Sequence, residues 1–86
     1  MGVIYIAIMA RTKTYYYLID NMTPDKAVVM KRALQTVSSI HSITMRPSEG
    51  IIEVIASRDV EDSIKIACDI AQTIFRIRIK SRKLAR

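Results

Sequence analysis

The chain has 86 residues at 9.8 kDa, enough for one domain with a small core. Half of the residues are hydrophobic and 26% are charged, which excludes an intrinsically disordered chain, and two Gly and two Pro exclude collagen-like and linker-like classes. Fourteen Lys and Arg against eight Asp and Glu leave a net charge of +6, while the single Cys68 excludes an internal disulfide framework or a cysteine-cluster zinc site and fits a reducing, cytoplasmic setting.

The apolar opening Val3 to Met9 is followed, not preceded, by Arg11 and Lys13, the reverse of a secretory signal. It is also far shorter than the ~20 residues a spanning helix needs. It reads as an extra N-terminal edge strand; the alternatives are one long bent strand continuing into Tyr15, or a hairpin around Arg11-Thr12-Lys13. Tyr15 to Ile19 is a strand ended by Asp20-Asn21. Thr23-Pro24-Asp25 then opens a first helix, with a hydroxyl to cap, proline at the first helical position and an acid in the first turn. Ala27, Met30, Leu34 and Val37 form its buried stripe until Ser38-Ser39.

Ile40 to Met45 and Ile51 to Ala56 flank Pro47-Ser48-Glu49-Gly50, a hairpin. Asp59, Glu61 and Asp62 mark the start of a second helix, whose stripe is Val60, Ile64, Ala67, Ala71 and Ile74. Ile66 and Ile70 add a second apolar row that needs a cover and is a candidate interface. Phe75 to Lys80 alternates apolar and basic residues, a half-buried strand with its bases on the open side. No Gly, Pro or Asn separates Ile74 from Phe75, so a helix running on through Ile77 is the alternative.

Strand, helix, strand, strand, helix, strand is the order of the ferredoxin-like sandwich, an α+β fold with both helices on one face of an antiparallel sheet. Its other face is left open, and in a chain this short an apolar open face predicts a homodimer or a subunit of a larger assembly. The whole chain reads as one domain, with residues 81–86 as a basic tail.

Two family resemblances follow. The run Ile19-Asp20-Asn21-Met22-Thr23 and the stretch Ala33 to Met45 resemble a heavy-metal-associated, copper-chaperone-like domain. Pro24 and Ala27 stand where that family places its two thiolates, so the resemblance implies the fold without the metal site, a degenerate metal carrier at most. The segment Gly50-Ile51-Ile52-Glu53-Val54-Ile55-Ala56-Ser57-Arg58-Asp59 is similar to the small dimeric scaffold subunit of the KEOPS tRNA-modification complex. That resemblance implies a scaffold role, tRNA and a kinase partner.

Charge is unevenly placed. Residues 1–75 carry eight bases and eight acids, whereas Arg76, Arg78, Lys80, Arg82, Lys83 and Arg86 have no acid among them. Such a segment is a footprint for an anionic partner, with nucleic acid first and RNA preferred to DNA. Tyr15, Tyr16 and Tyr17 supply rings for base stacking or for an interface, Tyr16 facing opposite to its two neighbours. His41 and Cys68 stand apart from any nucleophile or metal motif, and acids at a helix start are explained by capping. The expected protein is therefore non-catalytic, without cofactor, metal or membrane anchor. It binds nucleic acid as a dimer, or alternatively joins protein partners as a scaffold.

Overall fold

The structure, a computed structural model, describes residues 12–80. The proposed strand at Val3 to Met9 and the basic tail at 81–86 lie outside the described residues. The elements are β1 (Lys13–Asp20), α1 (Pro24–Leu34), β2 (Ile40–Arg46), a 3-10 turn (Pro47–Glu49), β3 (Ile51–Ala56), α2 (Glu61–Ala71) and β4 (Ile74–Ile79). The four strands form one antiparallel sheet in the order β2-β3-β1-β4, the ferredoxin-like arrangement.

α1 starts as its sequence dictates. The Thr23 hydroxyl accepts the Lys26 N–H at 3.3 Å, with Pro24 first in the helix. It ends at Leu34, one turn earlier than the apolar stripe implied, and Val37 packs against the core from beyond the helix. α2 starts at Glu61, and the Asp59 carboxylate accepts the Glu61 N–H at 3.0 Å, so the acid caps the helix from two residues ahead.

The end of α2 corrects one expectation. Gln72 adopts a left-handed conformation (φ 61°), and the Thr73 N–H donates to the Cys68 carbonyl at 2.9 Å. That turn releases the chain into β4, so Ile74 is the first residue of a strand and exposed, not the last of the helical stripe. The missing glycine is replaced by a glutamine in the same backbone region.

Tyr17, Ile19, Ile52, Val54 and Ala56 from the sheet meet Ala27, Met30 and Leu34 of α1 and Ile64, Ala67, Cys68 and Ala71 of α2. Burying one large apolar side chain here stabilises the fold by roughly 1.5–3 kcal/mol. Gly50 closes the hairpin at φ 69°, and a Cβ there would lie 2.8 Å from the Ile19 carbonyl oxygen. The Ile19 N–H donates to the Gly50 carbonyl at 2.7 Å, so glycine is what lets the hairpin end lie against β1.

β4 carries a second correction. Ile19 pairs with Phe75 but Leu18 pairs with Ile77, leaving Arg76 as an extra residue. Residues paired across a ladder share a face. Phe75 therefore lies on the helix side with Ile19, and beyond the bulge the alternation is reversed. Ile77 and Ile79 share the outer face with Leu18 and Tyr16, while Arg78 shares the helix side with Tyr17. The expected pattern of apolar residues inward and bases on the open side holds for neither Ile77, Ile79 nor Arg78.

Candidate functional site

Two of the three bases that the structure describes in the basic segment face acids. Arg76 Nε lies 3.4 Å from the Asp20 carboxylate, and Arg78 Nε lies 3.0 Å from that of Asp59. Both pairs are about half exposed, so each is worth about 0–1 kcal/mol and fixes geometry more than stability. Lys80 is exposed at the end of the described chain, and Arg82, Lys83 and Arg86 lie outside it. Residues 12–80 carry ten bases and eight acids, so two of the six excess charges belong to the described domain.

Asp59 is the hub of a small network. Its carboxylate accepts the Tyr17 hydroxyl at 2.8 Å, the Glu61 N–H and the Arg78 guanidinium, while the Tyr17 oxygen accepts the Val60 N–H at 3.1 Å. The central strand, the edge strand and the start of α2 are tied together there. Burial and the neighbouring carboxylate push the Tyr17 hydroxyl far above its ordinary range, so it stays protonated.

That network also settles the tyrosines. Tyr17 is fully buried, its ring 6.3 Å from that of Phe75, which removes it as a stacking platform. Tyr15 packs against the same core, and Tyr16 alone lies on the outer sheet face, opposite Glu53 and Ile79. This outer face is less open than its alternation implied. Ile51 is fully buried there, Tyr16, Leu18, Ile55 and Ile79 are half-buried and Arg46 pairs with Glu53 at 3.5 Å, while Ile74 and Ile77 of β4 are exposed.

The helix layer is the more exposed apolar surface. Ile66 and Ile70 are 60% and 57% exposed, and Val28 and Val29 of α1 are exposed as well. Between the helices runs a groove of about 280 Å³ lined by Ala33, Thr36 and Val37 from one side and Ser63, Ile66, Ala67 and Ile70 from the other. Ile66 and Ile70 are thus brought together as their spacing implied. Val28 and Val29 were missed. The signal was present in Ala27-Val28-Val29-Met30, a run of four apolar residues too wide for one buried stripe.

The side chains that offer chemistry stay dispersed. His41 is exposed on β2. Cys68 is buried, and that burial pushes its thiol up, while Thr73 donates nearby to the Met30 sulfur at 3.4 Å. Lys65 lies 5.4 Å from the Phe75 ring centre and 3.2 Å from Glu61, so its charge is engaged on the helix surface. Among the described residues no group of three or more His, Cys, Asp or Glu could hold a metal ion, and no helix is long and apolar enough to cross a membrane. No protein-family model matches the chain, and no curated protein matches it either.

Proposed function

We propose that this chain is a non-catalytic protein-association module, a dimerising or scaffold subunit that docks through the outer surface of its helix layer. One observation carries the reading. Val28, Val29, Ile66 and Ile70, four of the six large apolar residues exposed among the described residues, lie on α1 and α2, and Ile66 and Ile70 line a groove between the two helices. A face of this kind costs solubility in a lone domain and gains by being covered. The accessory role implied by the KEOPS-like segment belongs to the same reading, with a larger assembly as the setting.

The test is association at high salt. The full chain, recovered from its native host, is expected in a complex that survives about 1 M salt, where charge contacts are screened to within ~3 Å. Ile70→Asp should abolish that complex while leaving the circular dichroism spectrum unchanged. A partner-free monomer under those conditions would overturn the proposal.

Nucleic-acid binding is the second reading, supported by the concentration of bases from Lys80 to Arg86. It loses weight because Arg76 and Arg78 face acids of the same chain. Titration with bulk tRNA at several salt concentrations tests it. Each phosphate contact in single strands adds about −0.7 to the slope of log K against log salt, so removing residues 81–86 should flatten that slope.

A further inference from the structure

We infer that the apolar segment Val3 to Met9 folds back over the outer face of the sheet and seals the patch formed there by Tyr16, Leu18, Ile51 and Ile55. That patch lies on the opposite layer of the fold from the association surface, and neither depends on the other. Both helices pack on the side of the sheet that holds Tyr17, Ile19, Ile52 and Val54. Ile51 pairs with Leu18 and Arg46 on the other side and has no place in the core cluster under the helices, yet it is 0% exposed.

Neighbours in a sheet stand beside a residue, not over it. Arg46, the long side chain paired with Ile51, is turned to Glu53 at 3.5 Å, and its Nε is itself shut off from solvent. A fully buried isoleucine and an enclosed guanidinium nitrogen on one face call for a layer above them. The burial is local. Tyr16, Leu18 and Ile55 are half-buried around Ile51, whereas Ile74 and Ile77 on β4 and Thr44 on β2 are exposed. The cover therefore follows the two inner strands, β1 and β3.

Chain connection selects the occupant. Residues 3–10 contain no charged side chain, and only Arg11 and Thr12 separate them from Lys13, where β1 begins. Because β1 is an inner strand, the segment is joined to the middle of the sheet and not to either edge. Ala10, Arg11 and Thr12 can span about 10 Å, the separation between a sheet and a layer packed on it. The stretch from Val3 to Met9 can then reach up to about 24 Å, against about 13 Å from Thr14 to Leu18 along β1. So short a tether holds the segment at an effective concentration in the millimolar range, which favours it over a second copy arriving from solution. Residues 81–86 fit the patch poorly, since Arg82, Lys83 and Arg86 leave only Leu84 and Ala85 apolar. Docking buries the segment and the patch together, where either alone would be wet apolar surface.

Methyl NMR of the full chain tests this, on a sample mixing labelled and unlabelled copies so that contacts within one molecule are told from contacts between two. Nuclear Overhauser contacts from Ile4, Ile6 or Ile8 to Leu18, Ile51 and Ile55 of the same molecule are expected. Ile6→Asp should lower the midpoint of chemical denaturation and raise binding of a hydrophobic dye several-fold, with the circular dichroism spectrum unchanged. Should that variant unfold, the wild-type contacts decide alone. No contact between the segment and the outer face, contacts arising only between copies, or unchanged dye binding in a folded Ile6→Asp variant would overturn the inference.

Discussion

The two sides of α2 make an instructive pair. Its inner side places Ile64, Ala67, Cys68 and Ala71 in the core, with Ile64 fully buried. Its outer side is mixed, with Ile66 and Ile70 mostly exposed among Asp62, Lys65 and Asp69. The inner side is explained by folding. The outer side contributes little to folding in the isolated chain, and its two exposed isoleucines are what the proposed association would cover.

Substitutions on the two sides should separate these roles. The largest effect on stability is expected from Ile64→Ala, which leaves a cavity under both helices and should cost about 2–5 kcal/mol in chemical denaturation. Tyr17→Phe should cost about 1–3 kcal/mol, because the buried Val60 N–H loses its acceptor and Asp59 loses a donor. The same residue sets an alkaline limit. Its hydroxyl is raised in the folded chain, so its stabilising effect is complete below the unfolded value near 10 and is lost as pH rises above it. Stability measured between roughly pH 9 and pH 12 should fall in the wild type and fall less steeply in Tyr17→Phe.

Ile70→Asp on the outer side should shift stability by no more than about 0.5 kcal/mol while abolishing association. A large loss of stability there would erase the contrast between the two sides. The smallest effect belongs to the exposed ion pairs. Arg76→Gln and Arg78→Gln should each cost about 0–1 kcal/mol, with Arg78 the larger because its partner Asp59 also holds Tyr17 and the start of α2.

Much of this contrast was legible in the residues themselves. Thr23-Pro24 announced α1, Asp59 announced α2, and the spacing of Ile66 and Ile70 announced a second row outside the stripe of Ile64 and Ala67. The fold followed because each of those signals is local: a cap, a period of 3.6, a turn with glycine at its end. What was not legible depended on pairing. A bulge at Arg76 reversed the alternation of β4, sending Arg78 to the helix side and Ile77 outward, and alternation alone has no means of showing where a ladder slips by one. Gln72 ended α2 in a conformation usually marked by Gly or Asn, so Ile74 was assigned to the wrong element. The basic row was read as free charge for a related reason, since Asp20 and Asp59 are distant in sequence and become partners only once β4 lies beside β1.

The central claim is that α1 and α2 carry the association surface, and a dilution series followed by amide NMR in high salt addresses it most directly. Concentration-dependent shifts confined to the outward residues of the helix layer, with Val28, Val29, Ile66 and Ile70 foremost, are the predicted result. Shifts mapping to β4 or the outer sheet face would contradict it, and spectra unchanged from dilute to concentrated solution would contradict self-association through that surface.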